Sequence, residues 1–233
     1  FPRPPLPEVP ASQRALLTTS PVPTPAYTAS QLSFSVISRV HIAAPASLVT
    51  SVIIDGASWG EWNTFIPSIT VTSKCTDVAY PPGLTGPANG EDNKGSLRQG
   101  DRFTMCVNMP GAPLESLNKG MIEKFQTTHE VVSVIEALDP SKEDGRKGYR
   151  ICWKVDGGFG GLLRAERVQE CVDLGDETCE WVTFESFGGW LGPVVRLATG
   201  GKLVERFGDW GRDLKARCEK LKKEADVEEE RTA

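Results

Sequence analysis

Trp59-Gly-Glu-Trp62-Asn63-Thr-Phe65-Ile-Pro67 packs three large aromatic side chains into nine residues, directly after an Ala-Ala-Pro turn and a short amphipathic segment. Aromatics this dense, bounded by glycine and proline, predict a wall around an interior. On the N-terminal side, Phe34, Val36, Val40 and Ile42 share one parity and Ser35, Arg39 and His41 the other. That period of two predicts a strand with one buried face, and it points His41 outward. On the C-terminal side, Ile69, Val71 and Cys75 predict a second strand. The order strand, two short helices, strand follows from these residues alone.

Further along, Phe103, Met105, Val107 and Met109 alternate against Arg102, Thr104 and Asn108, predicting a third strand. The segment 80–100 between these strands is rich in Pro, Gly and Asn and predicts a long surface loop. A fourth strand, about 120–138, places Met121, Phe125, Val131 and Ile135 on one face with Thr127 and His129, so His129 is expected to point inward. Tyr149, Ile151, Trp153 and Val155 predict a fifth strand, and the glycine run 157–161 then turns the chain. The sixth, 162–172, carries Leu162, Val168 and Val172 on the parity of Arg164, Glu166 and Glu170; the seventh, 178–187, is apolar on both parities and has no assignable face.

From Leu191 the period changes. Leu203, Phe207, Trp210, Leu214, Cys218 and Leu221 recur at intervals of three and four, predicting a long helix with one buried stripe. The Gly200-Gly201 pair predicts a kink or two consecutive helices there. The proline-dense residues 1–30 predict a disordered or loosely draped arm, with a ligand for a partner domain as the functional alternative. The charged residues 225–233 predict a frayed tail. Residues 31–224 then form one domain, a size able to bury a substantial core.

Composition narrows the function classes. A net charge of −5 and a pI near 5.3 argue against nucleic acid as a partner, because that affinity rests on clustered Lys and Arg. No apolar run approaches the roughly 20 residues that span a bilayer. The six cysteines show no C-x-x-C pair, so no metal site is expected, and five of them, as small hydrophobes in predicted strands, suit a reducing, cytoplasmic setting. No nucleophilic triad order or phosphate loop is recognisable; the glycine run 157–161 lacks the Lys and the following helix of a P-loop.

Three local matches carry a resemblance. Val40-His-Ile-Ala-Ala-Pro45, Trp59-Gly-Glu-Trp62-Asn63-Thr-Phe65-Ile-Pro67 and Glu185-Ser-Phe187-Gly188 stand in the order and spacing of a strand-to-helix turn, a W-x-x-W-N-x-F-x-P signature and an E-x-F-x-G strand end. Over about residues 33–223 the chain resembles the START-like (SRPBCC) superfamily, particularly its polyketide cyclase/dehydrase-like branch. The resemblance implies an α+β helix-grip fold: a curved, seven-stranded antiparallel sheet around a long C-terminal helix, with two short helices after the first strand. It also implies an elongated apolar cavity for lipids, sterols, aromatic polyketides or similar molecules. One scaffold in this superfamily serves transfer, sensing and catalysis, so the fold alone chooses no activity.

Trp59, Trp62, Asn63, Phe65, Phe103, Met105, Phe125, Thr127, Trp153, Phe207 and Trp210 are the candidate lining residues, with plain core as the alternative for the aromatics and a helix cap for Asn63. His129 reads either as a core histidine satisfied by a backbone carbonyl or Thr127, or as a proton-transfer group. Arg164 and Glu166, two residues apart, read as a buried polarising pair or as a salt bridge at the sheet edge. Glu185 reads as a structural hydrogen-bonding group near the cavity end. The preferred function is cofactor-free cyclisation or dehydration of an enclosed hydrophobic molecule, with His129, Arg164 and Glu166 moving protons. The rival is a non-catalytic carrier or sensor, in a monomer or a homodimer. Several convergent inward polar groups favour the enzyme; one or none favours the carrier.

Overall fold

Strands that alternate apolar and polar residues join edge to edge into one antiparallel sheet in the computed structural model, which describes residues 1–84, 95–123, 125–157 and 161–232. The elements are β1 Ala15–Thr18, β2 Leu32–Ile42, α1 Ala46–Ile54, α2 Trp59–Trp62, β3 Ser68–Ser73, β4 Arg102–Val107, a single turn α3 Lys119–Ile122, β5 Gln126–Ala137, β6 Gly148–Val155, β7 Arg164–Gly175, β8 Thr178–Gly188 and α4 Gly192–Thr232. The sheet order is β1-β2-β8-β7-β6-β5-β4-β3, so the neighbours β2 and β8 come from opposite ends of the domain. The centres of the 80–100 loop and of the glycine run at 157–161 lie outside the described residues.

The short helices follow from local chemistry. Val49 donates to the carbonyl of Pro45 at 3.1 Å to open α1, whose Val49, Val52 and Ile53 are buried. Asn63 turns the chain after α2: its Oδ1 accepts from the backbone N–H of Phe65 (3.0 Å) and Ile66 (2.9 Å), an Asx-type turn that delivers the chain to β3.

Helix α4 grips the concave side of the sheet with Leu203, Phe207, Trp210, Leu214 and Cys218. Glycines set how closely it lies. A Cβ on Gly211 would stand 2.7 Å from Val40 Cγ2, and one on Gly200 2.9 Å from Leu17 Cδ1. The Gly200-Gly201 pair therefore admits β1 beside the helix instead of dividing it, and α4 is one helix. The helix also continues to Thr232, past the tail expected to fray; its Lys- and Glu-rich turns have good helix propensity and pairs such as Lys220–Glu224.

Two further expectations change. Among the described residues the sheet has eight strands, not seven, because Ala15–Thr18 pairs with Ser35–Ser38 of β2. This segment lies between the proline clusters at 2–10 and 21–25, so its N–H groups are free to join a ladder. The arm is thus not simply unpacked. Val22 donates to Ser35 Oγ (2.9 Å) and accepts from Ser186 Oγ (2.7 Å). Val22 also packs with Ile37, Cys152, Val168 and Phe184, joined by Leu6 and Val9, in a second apolar cluster on the convex face. Burial on both faces explains why β8 shows no polar parity.

Candidate functional site

Most of the concave interior is solid. Trp59 meets Trp210 edge-on at 5.1 Å and Trp153 at 5.9 Å; Phe103 meets Trp153 at 5.9 Å, and Trp62 meets Trp210 at 6.3 Å. The Trp59 indole N–H is satisfied by the Ile53 carbonyl at 3.1 Å. These residues, expected to line a cavity, form a core cluster that leaves no room for a ligand among them. Asn63 is spent on its turn.

Open space remains at the other end of the concave face. A cavity of about 150 Å³ is walled by Phe65, Ile66, Met105, Val107, Met109, Val155, Leu163, Ala165, Phe187, Val195, Thr199 and Leu203. Into it come the polar side chains of Gln126, Thr128, Glu130, Arg167 and Glu185. The space is far shorter than the elongated cavity implied by the resemblance, because the tryptophan cluster occupies the rest. It matches a cavity that admits a single benzene-sized ring, below the 300 Å³ or more of drug-sized sites.

Arg167 is the centre of this site. It stands directly opposite Glu185 across β7 and β8, its Nε 3.3 Å from Glu185 Oε2. Its guanidinium carbon lies 4.1 Å from the Phe207 ring centre, 4.8 Å from that of Trp210 and 5.3 Å from that of Phe65. Three aromatic faces stabilise the cation electrostatically while their edges exclude water. Burial lowers the Arg167 pKa below its usual value, against the opposing pull of Glu185 and Glu130, but a guanidinium remains protonated.

Glu130, 4 % exposed, comes from β5. Burial pushes its carboxyl well above the ordinary range, and the charge of Glu185 adds to this; Thr128 and Arg167 oppose it. Glu185 is also raised by burial, but there Arg167 is the first opposing influence. One cation thus faces two carboxyls, of which Glu130 is the one favoured to hold a proton.

The nominated proton-transfer residues lie elsewhere. His129 is exposed, with Nδ1 3.0 Å from Thr104 Oγ1, and Thr127 is exposed beside it. A bulge between Val132 and Val134 reverses the parity of β5, so Ile135 points inward after the bulge but Glu130, Thr128 and Gln126 do so before it. Phe125 sits half-buried ahead of the strand, outside the cavity wall. Arg164 and Glu166 lie on the convex parity of β7. Glu166 accepts from the Ala26 N–H at 2.7 Å and from Ser133 Oγ at 2.6 Å, fastening the arm. The odd parity of β7, with Ala165, Arg167 and Cys171, carries the inward face, and the register of Arg167 opposite Glu185 was the missed signal. Phe65, Met105 and Glu185, among the residues nominated from the sequence, do line the cavity.

Comparison with known proteins agrees with the architecture. The Zhui aromatase/cyclase of a Streptomyces species superposes with a TM-score of 0.51 at 12 % identity, over 79 % of this chain and 93 % of that one. The fold is a helix grip, an eight-stranded antiparallel sheet closed on a long C-terminal helix. A hypothetical protein of Helicobacter pylori gives a TM-score of 0.53 at 14 % identity, over 78 % of this chain and 86 % of that one. In sequence, the oxopyrrolidines biosynthesis cluster protein O of Penicillium oxalicum is 29 % identical over 177 residues, 70 % of this chain and 76 % of the relative. No protein-family model matches the chain. Among the described residues, no helix is long and apolar enough to cross a membrane.

Proposed function

We propose that the protein holds a compact, carbonyl-bearing molecule at the open end of its helix grip and moves a proton on it, a cyclase-like step in making a secondary metabolite. The observation that carries this reading is the convergence of one guanidinium and two carboxyls, Arg167, Glu185 and Glu130, on a single apolar cavity. Buried charges with no purpose in packing are costly, and pairs of acids driven to different proton affinities suit acid–base work.

The chemistry follows from the arrangement. A substrate carbonyl oxygen beside Arg167 and the protonated Glu130 is polarised by both. The Glu185 carboxylate takes a proton from the adjacent carbon, and the guanidinium stabilises the enolate that forms. The enolate carbon attacks a second carbonyl of the same molecule, closing a ring, and Glu130 gives its proton to the new alkoxide. Confinement by Phe65, Met105 and Phe187 favours the folded conformer that closes. A space near 150 Å³ suits one small ring, and the relative's name supplies a candidate, an oxopyrrolidine. The aromatase/cyclase neighbour supports cyclisation on this fold by analogy only. A long lipid, the cargo of a carrier, finds little room.

The test is ring closure of an acyclic β-ketoamide precursor of an oxopyrrolidine, followed by mass spectrometry. Glu185→Gln and Glu130→Gln are each expected to lose about 100-fold in rate while remaining folded. No acceleration by the wild-type protein, or wild-type rates in both variants, overturns the proposal.

A further inference from the structure

The two ends of α4 treat charge differently. From Arg206 onward most of its cations meet carboxylates: Arg206 and Arg212 pair with Asp209, Lys215 with Glu219, and Lys222 with Glu177 and Asp226. Between Glu185 and Glu205, by contrast, the sequence holds Arg196 and Lys202 and no Asp or Glu. Both cations are exposed, and neither has a hydrogen bond or ion pair among the described residues.

The same segment exposes large apolar side chains. Trp190 is 86 % exposed, Leu197 90 % and Val194 57 %, with Leu191 and Leu162 beside them. Val194, Leu197, Ala198 and Gly201, three or four residues apart, share one solvent-facing stripe. On the opposite side of these turns, Val195, Thr199 and Leu203 close the cavity. The helix that roofs the cavity is therefore apolar both inside and out.

We propose that this end of the protein docks on an anionic lipid surface, with Trp190, Val194 and Leu197 entering the headgroup region and Arg196 and Lys202 lying against its negative charge. Contiguous exposed apolar patches on soluble domains mark contact surfaces, and an exposed tryptophan beside unpaired cations suits a membrane interface. Charge decides the occupant. A second copy placed by a twofold axis would set together two patches that each carry Arg196 and Lys202 and no carboxylate, leaving like charges unbalanced. An anionic bilayer offers both apolar depth and opposite charge, and it selects this segment from a chain whose net charge is −5. Docking brings the cavity roof against the bilayer, where an apolar molecule dissolves. The proposal does not rest on the proton chemistry of the cavity.

Co-sedimentation of the full chain with vesicles of pure phosphatidylcholine, and of phosphatidylcholine mixed with phosphatidylserine, tests it. The chain is expected to bind the mixed vesicles, to be released by added salt, and to shift its tryptophan emission to the blue. Arg196→Glu should weaken binding by about fivefold or more. Leu197→Glu should abolish it, and Trp190→Ala should remove the emission shift, with unfolding midpoints unchanged because all three side chains are exposed. The proposal is overturned by failure to bind either vesicle or by wild-type binding of Arg196→Glu and Leu197→Glu. It is equally overturned by a concentration-dependent dimer, with no vesicle binding, that Leu197→Glu dissociates.

Discussion

Each face of the sheet buries an arginine among glutamates, and only one of the two is built for chemistry. On the convex face Arg150 donates to Glu170 at 2.9 and 2.7 Å, to Glu136 at 2.6 Å and to Glu143 at 2.8 Å, while Arg146 closes the circuit with Glu170 and Glu143. Arg3 of the arm adds a contact to Glu170 at 3.2 Å. Carboxylates surround these cations, so the cluster is a fastening. On the concave face Arg167 has one ion-pair partner, three aromatic rings and open space, and of the two carboxyls that share the cavity it pairs with Glu185 and leaves Glu130 without an ion pair among the described residues. Charge density does not distinguish a site from a strut. Unfinished pairing beside a cavity does.

The largest test removes the centre of the fastening. Glu170→Ala takes a buried carboxylate away from Arg150, Arg146 and Arg3 at once, and urea unfolding is expected to show a loss of about 3–5 kcal/mol. Arg167→Met, on the other face, is expected to lower the ring-closing rate about 100-fold or more. Its stability loss should be smaller than that of Glu170→Ala, since the carboxyls it leaves can take up protons. Equal stability losses in the two variants would erase the proposed difference between the faces.

A gentler probe concerns the arm. Ser186→Ala removes the hydroxyl that donates to the Val22 carbonyl and contacts Ser35 Oγ at 2.7 Å. The expected cost is about 1–3 kcal/mol, with earlier proteolysis within residues 1–28 and an unchanged ring-closing rate per folded molecule. The smallest effect is read as a slope. Because the folded state raises the Glu130 pKa above the usual 4.5, its contribution to stability is fully present below that value and is lost as pH rises toward the raised one. Over that window Glu130→Gln should flatten the decline of the unfolding free energy with pH; an unchanged slope would mean that Glu130 is ionised at no cost.

Much of the fold was legible because its signals are local. Alternation in β2, β4 and β6 and the three-and-four spacing of Leu203 to Cys218 depend only on which residues follow one another. The Trp59–Pro67 stretch identified the turn between α1 and β3 for the same reason. What misled was anything decided by a second layer. One inserted residue near Ser133 turned His129 outward and Glu130 inward, and no propensity marks a bulge there. Arg164 and Glu166 read as a site because the two charges share a parity with Leu162, Val168 and Val172, yet Glu166 is buried against the arm and not in a cavity, and Arg164 is only half-buried. The proline content of residues 1–30 concealed β1, whose pairing exists only once β2 is in place.

The order of β2 to β8 with the short helices after β2, the aromatic turn at 59–67 and the buried stripe of α4 were determined by the sequence alone, since side-chain period and turn chemistry act over a few residues. Which face of β5 and β7 meets the cavity, how small that cavity is, and which arginine is left incompletely paired were decided only by tertiary structure. Those properties depend on register between paired strands, as of Arg167 with Glu185, and on what covers each face, which is set by residues more than a hundred positions apart, as Ala26 and Glu166 are.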